Sequence, residues 1–395
     1  MSEVARVPQL RFPEFSNEWK KNKLGNLAVI KSGISPSKYE LKTTGSLPFL
    51  KVEDLNNCRK YQFNSRVYSE SLKNSINKNS VIFPKRGAAI RLNKVRINKV
   101  AALMDSNLMA LLPNTELLNT EFLYYKIMLD GLYKIADTST IPQINNKHIL
   151  PYKLNLPILP EQQKIAAFLT AVDSKIEQLS KKQELLGEYK KGLMQQIFSQ
   201  AIRFRAGDTP GQPLLPNGNS PSGSDFPNWE EKRLGDLCEI TTGKLDANAM
   251  VEGGQYRFYT CAKEYYKIDD YAFDTDALIV SGNGANVGYI HHYQGKFNAY
   301  QRTYVLDSFT DNIIFVKFVL DEYLHKRIMK EKNEGNTPYI VMGTLTDMKI
   351  NLPSFSEQTK IAIFLSSIDS KIEQVGKQLD ESKQFKKALL QQMFV

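Results

Sequence analysis

The sequence predicts an α+β protein with two domains of mixed β-sheet and short helices, each followed by one long helix. Three observations predict this class: a duplicated helical segment, a second duplicated motif ahead of it, and short apolar runs between the two. An internal repeat fixes the architecture before any single residue is interpreted. The 395 residues are enough for two or three domains with separate cores.

The duplicated helical segment covers residues 161–198 and returns without a gap at residues 357–394. In each copy the apolar residues step alternately by four and three, which keeps one stripe on the side of a helix that faces a partner helix. Two such helices in one chain are most simply paired with each other, and each would be roughly 57 Å long. The residues expected at this pairing are Ile165, Leu169, Val172, Ile176, Leu179, Ile361, Leu365, Ile368, Ile372 and Val375.

The start of each long helix also carries a signal. Pro160 suits a first helical turn, where a backbone N–H is not needed, and Ser356 suits an N-cap. Glu161 and Glu357 follow in the first turn, where a carboxylate complements the helix dipole.

The second duplicated motif, at residues 19–33 and 229–243, repeats Trp, Leu-Gly, Leu, Ile and Gly in register. Between this motif and the helix the two domains align poorly, although both end on a Pro-x-Ile tripeptide. We predict strands at 47–50, 80–83, 277–280, 288–290 and 303–306, and helices at 123–128 and 313–330. The predicted segments are a first domain at 1–155, a first helix at 156–200, a linker at 201–225, a second domain at 226–351 and a second helix at 352–395.

The net charge of +10 favours a polyanionic partner, but the charge is distributed unevenly. Residues 1–155 hold 24 Lys and Arg against 12 Asp and Glu, a net +12, whereas residues 201–351 hold 16 against 20, a net −4. Nucleic-acid binding by the second domain therefore requires a local patch of cations.

Several function classes find no support in the sequence. No apolar run approaches a membrane span, and three scattered cysteines fit a reducing cytoplasm. No phosphate-binding loop, metal-ligand set, nucleophile elbow or methyltransferase-type Asn/Asp-Pro-Pro-aromatic motif is present. We therefore expect no catalytic residues and no metal site in this chain.

Binding residues are the remaining candidates. In the first domain six cations fall within fifteen residues and alternate with apolar positions, so a strand pair would place them on one exposed face. Such a face suits DNA, although a solvated basic strand face has the same pattern. These cations are Lys85, Arg86, Arg91, Lys94, Arg96 and Lys99. The corresponding loop of the second domain, aligned on Gly87 and Gly284, offers Asn283, Asn286, His291, His292, Tyr293, Lys296, Gln301 and Arg302.

The chain resembles the specificity subunits of type I restriction-modification enzymes. The resemblance is carried by Leu-Pro-Ile-Leu-Pro-Glu-Gln-Gln-Lys-Ile-Ala at 156–166, Val-Asp-Ser-Lys-Ile at 172–176, Leu-Met-Gln-Gln at 193–196, their second copies, and the two Trp motifs. It implies two target recognition domains that each bind half of a split duplex DNA sequence, separated by two long helices that form an antiparallel coiled coil.

The resemblance also implies partners. Two modification subunits would dock on the chain and transfer a methyl group from S-adenosylmethionine to adenine, and motor-nuclease subunits would use ATP and Mg²⁺. This chain would supply specificity without catalysis. The alternative is a non-catalytic coiled-coil scaffold that joins two ligand- or protein-binding domains, and a self-contained DNA-modifying enzyme is disfavoured by the missing motifs.

Overall fold

The structure, a computed structural model, describes residues 7–137, 141–204, 215–216, 226–331 and 338–395. Its contacts divide the chain into two compact units: Met1–Ser180 with Lys377–Val395 form unit 1, and Lys181–Gly376 form unit 2. Each unit contains one sheet-rich domain and one section of each long helix, which confirms the predicted α+β class.

In the described part of unit 1 there are ten strands and two short helices, and the first long helix begins there. In chain order these are β1 (Lys20–Lys23), β2 (Ala28–Ser32), β3 (Leu47–Leu50), β4 (Tyr61–Gln62), β5 (Tyr68–Ser69), β6 (Val81–Pro84), β7 (Arg96–Asn98), β8 (Leu103–Met104), β9 (Leu108–Pro113), α1 (Thr120–Asp130), α2 (Asn146–Ile149), β10 (Lys153–Leu156) and α3 (Leu159–Phe198). The main sheet has the order β2-β9-β6-β7-β4, and β4 is parallel to β7. Helix α1 packs on one face of this sheet.

Unit 2 contains the remaining elements among the described residues. In chain order these are β11 (Ile202–Arg203), β12 (Leu215–Pro216), β13 (Glu230–Arg233), β14 (Glu239–Thr242), β15 (Tyr256–Tyr259), β16 (Tyr266–Ile268), β17 (Phe273–Ser281), β18 (Ile290–Ala299), β19 (Thr303–Asp307), α4 (Ile313–Glu331), α5 (Met342–Thr346), β20 (Lys349–Leu352) and α6 (Phe355–Met393). The main sheet has the order β14-β19-β17-β18-β15-β16, with β15 parallel to β18. Helix α4 packs on one face, and a smaller apolar cluster lies on the other.

The two main sheets share one topology although their sequences align poorly. The first five strands of each sheet follow the same chain order, and the parallel pair occupies the same place in both. The pairs β1–β10 and β13–β20 also correspond. Divergent side chains on a common backbone are what two domains with different ligands require.

The long helices run antiparallel within each unit. In unit 1, Ile165 near the start of α3 shares a core with Leu389 near the end of α6, and Asp173 pairs with Lys386 at 2.5 Å. In unit 2, Ile197 near the end of α3 shares a core with Ile361 at the start of α6.

Seven of the ten side chains expected at the helix pairing belong to these two cores or pack against them, and the pairing of Ile176, Leu179 and Val375 stays a prediction. Eight of the ten are buried, while Val172 and Ile372 are half-buried and pack against the cores of units 1 and 2. Lys190 of α3 also pairs with Asp369 of α6 at 2.6 Å in unit 2.

Two local predictions need correction, and a third lies mostly outside the described residues. Helix α6 begins at Phe355, so its N-cap is Ser354, whose hydroxyl accepts a hydrogen bond from the Glu357 N–H at 3.4 Å, and not Ser356. The strand expected at 288–290 begins only at its last residue, because Gly288 has a φ of +79°. Of the predicted linker at 201–225, residues 205–214 and 217–225 lie outside the described residues, and β11 pairs with β12.

A buried clamp ties the domain of unit 1 to helix α3. Glu161, whose side chain is 1% exposed, accepts hydrogen bonds from Arg11 Nε at 2.7 Å and Arg11 Nη2 at 2.8 Å. The indole N–H of Trp19 donates to the same carboxylate at 3.3 Å. This first-turn glutamate therefore anchors the domain in addition to facing the helix dipole.

The clamp recurs in unit 2. Glu357 accepts hydrogen bonds from Arg203 Nε at 3.1 Å, Arg203 Nη2 at 2.7 Å and Trp229 Nε1 at 3.3 Å. The recurrence reveals a third duplicated stretch, Leu-Arg-Phe at 10–12 and Ile-Arg-Phe at 202–204. Only three residues long, this repeat was not identified from the sequence.

Candidate nucleic-acid interface

In unit 1 the predicted loop around Arg86 is held against the Pro-Gln-Ile tripeptide that closes the domain. The Ile144 N–H donates to the Lys85 carbonyl at 2.9 Å, and Arg86 and Gln143 are partners in an antiparallel bridge. The Arg86 side chain is exposed and that of Gln143 is half-buried. We call these two stretches the unit 1 loop edge: residues 85–87 and 142–144.

Unit 2 builds the same feature from different residues. The Ile340 N–H donates to the Gly282 carbonyl at 2.7 Å, and Asn283 and Tyr339 are bridge partners. The side chain of Tyr339 is 58% exposed, and that of Asn283 is half-buried. The unit 2 loop edge consists of two stretches: residues 282–284 and 338–340.

The two loop edges share a backbone requirement. Gly87 has a φ of +75° and Gly284 a φ of +79°, in the left-handed region that favours glycine, and an added Cβ would meet no atom within 4 Å at either position. The backbone conformation, and not crowding, therefore explains the glycine.

On this common frame, unit 1 presents an arginine and a glutamine, and unit 2 presents an asparagine and a tyrosine. Arginine pairs bidentately with guanine, and glutamine or asparagine with adenine, in the major groove. The arrangement can therefore offer different base-edge donors and acceptors from equivalent positions.

The basic stretch of unit 1 does not form the predicted exposed strand face. Only residues 96–98 are a strand, because Asn93, with a φ of +46°, turns the chain just before it. Lys94 Nζ binds Asn56 Oδ1 at 2.5 Å, and Lys99 Nζ lies 3.3 Å from Glu121 Oε1. These cations are half-buried and already satisfied by contacts within the domain.

Arg96 is also half-buried, donating from Nη1 to the Val95 carbonyl at 2.7 Å. Burial, followed by repulsion from Arg86, lowers the pKa of Lys85 from its ordinary value. The side chains of Arg86 and Arg91 are exposed and form no hydrogen bond or ion pair with any described residue, which leaves them free to meet a ligand. Two of the six predicted cations are therefore well placed for DNA, and a contact by any of the six stays a prediction.

In unit 2 two predicted residues tie the loop edge to the turn after β15. Asn286 Nδ2 donates to the Cys261 carbonyl at 3.1 Å, and His291 Nε2 lies 3.1 Å from the Ala262 carbonyl. Burial lowers the pKa of His291, so its ring is neutral near pH 7 and is a poor partner for phosphate. His292 is exposed and lies 2.7 Å from Asp276 Oδ1.

The remaining predicted residues of unit 2 lie along the same surface. The Arg302 carbonyl accepts a hydrogen bond from the Gly282 N–H at 2.9 Å, which places Arg302 beside the loop edge. Gln301 and Arg302 are exposed, as is Lys296, whose Nζ lies 4.5 Å from the centroid of the Tyr271 ring. Tyr293 is half-buried and contacts an arginine absent from the predicted set.

That arginine is Arg257 on β15. Its Cζ lies 4.2 Å from the ring centroid of Tyr293 and 4.3 Å from that of Tyr265, and its Nη1 donates to the Tyr259 hydroxyl at 3.2 Å. These four side chains, Arg257, Tyr259, Tyr265 and Tyr293, are called the Arg257 cluster below. The alternation Tyr-Arg-Phe-Tyr at 256–259 was the signal available in the sequence for half of this cluster.

Two kinds of feature are absent from the described residues. None of the helices there is long and apolar enough to cross a bilayer. No group of three or more His, Cys, Asp or Glu side chains among these residues could hold a metal ion.

Comparison with a family model gives an independent result. The model described as "Type I restriction modification DNA specificity domain" matches residues 16–186 and 227–382. The two matches cover both sheet-rich domains and most of both long helices.

Individual relatives give the same picture. The type I restriction enzyme EcoDI specificity subunit of Escherichia coli is 41% identical over 167 residues, which are 41% of this chain and 37% of that relative. The type I restriction enzyme MjaVIII specificity subunit of Methanocaldococcus jannaschii is 23% identical over 414 residues, 96% of this chain and 92% of the relative. The crystal structure of a type I restriction-modification system S subunit from M. genitalium aligns with a TM-score of 0.67 at 18% identity, over 98% of this chain and 99% of that one. This last similarity is one of fold.

Proposed function

The chain belongs to the type I restriction modification DNA specificity family and acts as a DNA specificity subunit, and we propose that its two domains each recognise one half of a bipartite duplex target. The domain of unit 1 would bind one half-site and that of unit 2 the other. The long helices would set the number of unread base pairs between the half-sites.

One observation carries this proposal: the same loop edge is built twice with different side chains. Arg86 and Gln143 occupy the positions that Asn283 and Tyr339 occupy in the other unit. A duplicated domain that bound one ligand twice would have no reason to differ at the side chains of this loop edge. Two half-sites of different sequence give such a reason, since base readout depends on side-chain identity.

The helices suit assembly better than DNA binding. Residues 156–200 and 352–395 each hold 6 Lys and Arg against 5 Asp and Glu, a net +1. DNA affinity depends on cations that displace counterions from phosphates, and these segments offer almost none in excess. We propose that the exposed faces of the helices dock two modification subunits.

The partners would supply the chemistry. The modification subunits would transfer a methyl group from S-adenosylmethionine to adenine, and motor-nuclease subunits would use ATP and Mg²⁺ to cut DNA. The net −4 of residues 201–351 fits this division, because bound partners would provide many of the phosphate contacts near the second half-site. The complex would act in the cytoplasm, where its free cysteines Cys58, Cys238 and Cys261 stay reduced.

The test is to express the full chain with the modification subunit of its own system in a host free of DNA methylation. Sequencing of modified bases should reveal one motif of two defined blocks separated by a gap of undefined bases. A motif with a single block, or no methylated motif, would refute bipartite recognition and favour the scaffold function.

A single substitution tests which block of the motif the domain of unit 1 recognises. Arg86→Ala should change only one of the two blocks, weakening its recognition by about 1–3 kcal/mol if Arg86 contacts a base. Arg66→Ala is the matched control, since the Arg66 side chain is 67% exposed and lies elsewhere in the same domain. A change in both blocks with Arg86→Ala would show that the two domains do not act independently.

A further inference from the structure

Unit 2 poses a problem for DNA recognition, because its domain is acidic overall and therefore needs a local concentration of cations. The strongest local feature is the Arg257 cluster, on the face of the main sheet opposite α4. Tyr293 and Tyr259 belong to the apolar cluster on this face, together with Phe297. The turn after β15 contributes Tyr265 to the same surface.

The guanidinium of Arg257 is fixed in orientation. Two tyrosine rings lie within 4.3 Å of Cζ, one from β18 and one from the turn, and the Tyr259 hydroxyl accepts a hydrogen bond from Nη1. An arginine on a surface normally loses considerable rotamer entropy when it binds a ligand. Here the rings hold the planar group before any ligand arrives, which lowers that cost.

Arg257 also has spare hydrogen-bonding capacity. A guanidinium has five N–H donors, and Arg257 uses one of them within the described residues. Arg257 forms no ion pair with any described carboxylate. None of its nitrogen atoms is buried without a partner, unlike the Nε atoms of Arg96 and Arg327. The free donors of Arg257 are therefore accessible from outside.

The surroundings fit nucleic acid. Lys263 and Lys267 are exposed, lying beside Tyr289 and Tyr265 at 6.0 Å and 5.9 Å from the ring centroids. Asn286 binds the Cys261 carbonyl, so this surface is continuous with the unit 2 loop edge. Flexible lysines suit phosphates, whereas a rigid, forked donor suits two acceptors at fixed positions, and guanine presents O6 and N7 in this way.

We propose that Arg257 is a specificity-determining residue of unit 2 that recognises one guanine of the second half-site through O6 and N7. This inference rests on the proposed bipartite function and adds to it a named residue and a named base. Tyr265 and Tyr293 are its positioning residues, and Lys263 and Lys267 contact the flanking phosphates.

The test uses the full chain in complex with its modification subunits and a DNA library randomised at the second half-site. The wild-type complex should require a G·C pair at one or more positions of that half-site. Arg257→Ala and Arg257→Lys should both lose this requirement, with discrimination falling roughly 5- to 150-fold, while the first half-site stays unchanged. Lys326→Ala, on α4, removes a 63% exposed cation from the same domain and should leave both half-sites unchanged.

The lysine variant separates base recognition from phosphate binding. If Arg257→Lys retains wild-type selectivity, or if Arg257→Ala weakens binding to DNA of every sequence equally, Arg257 contacts the backbone and the inference is wrong. An unchanged second half-site in both variants also overturns it. These outcomes leave the bipartite motif of the wild type intact, whereas failure of the proposed function would abolish that motif.

A second measurement needs no variant to fold. Replacing the critical guanine by 7-deazaguanine removes the N7 acceptor and should slow methylation by the wild-type complex at least 5-fold. Equal rates on guanine and 7-deazaguanine at every position of the second half-site would refute the contact.

Discussion

Replacing Arg11 by Met is expected to lower the free energy of unfolding of unit 1 by about 3 kcal/mol. Glu161 is 1% exposed, and among the described residues its carboxylate would keep a hydrogen bond only from the Trp19 indole. Removing one partner of a buried ion pair typically costs about 3–5 kcal/mol, because the other charge remains buried without compensation. The lower end applies because the Arg11 side chain is itself 11% exposed.

The chain offers a convenient assay, since it contains two tryptophans and each unit holds one of them. In a Trp229→Phe background, fluorescence reports on unit 1 through Trp19 alone. With an m value of about 2–3 kcal/mol/M in urea, a loss of 3 kcal/mol shifts the midpoint by about 1–1.5 M. Circular dichroism at 222 nm, a helix signal from both units, shows whether unit 2 unfolds in the same transition.

Two controls make the result interpretable. Lys42→Met breaks an ion pair with Glu40 whose side chains are 57% and 81% exposed, and should leave the urea midpoint close to that of the wild type. Adding Glu161→Gln to Arg11→Met should recover part of the loss, since no charge then remains buried. If Arg11→Met costs no more than Lys42→Met, the clamp does not stabilise unit 1 in the way described.

Three further predictions follow from particular positions. Gly187→Ala should raise the free energy of unfolding by up to about 1 kcal/mol, because alanine favours a helix and the added Cβ meets no atom within 4 Å. Gly376→Ala should give a smaller gain, because its Cβ would lie 2.8 Å from Gln183 Nε2. Thermal melting of the two variants measures the difference. Burial lowers the pKa of His291 in the folded state. Between this lowered pKa and the ordinary value of about 6.5, the unfolded chain therefore binds more protons than the folded chain. The free energy of unfolding should fall as the pH drops through this range. In His291→Gln the decline of the urea midpoint from pH 7.5 to 5.5 should be shallower, and an identical pH profile would contradict the assignment. Inserting seven residues into each long helix, at the facing positions Gly187 in α3 and Ile372 in α6, should lengthen the gap of the methylated motif by about three unread base pairs and keep both half-sites. The length follows from about 1.5 Å per helical residue and about 3.4 Å per base pair. An unchanged gap would exclude the helices as spacers.

The features predicted correctly from the sequence are those encoded by local periodicity. The stripe from Ile165 to Leu179 specifies its helix without reference to distant residues, and the apolar runs at 47–50 and 277–280 specify strands in the same way. The order of strands in the sheets depends on long-range pairing, which leaves little trace in the local pattern. The common topology of the two domains was for this reason visible only in three dimensions.

The candidate interface shows the same limit. The cations from Lys94 to Lys99 looked like a DNA-binding face, but a carboxylate on α1, Glu121, and a side chain at Asn56 engage two of them. In contrast, Arg257 is an isolated cation on its strand in an acidic domain, and its significance comes from Tyr293, which is 36 residues away in sequence. Exposure and pairing decide which charges meet a ligand, and neither can be read from composition.

The short repeat at 10–12 and 202–204 has a consequence for chain connectivity. Residues 202–204 lead into the domain of unit 2 directly from the last turn of α3, whereas Leu10 lies at the last turn of α6, where its N–H donates to the Gln392 carbonyl at 3.0 Å. Each domain therefore starts where a long helix ends, through a peptide link in one case and a hydrogen bond in the other. A circular permutant that joins residue 395 to residue 7 through a short glycine-rich segment, and opens between residues 210 and 211, would keep both clamps. The order of the two halves along the polypeptide is thus separable from what each half recognises.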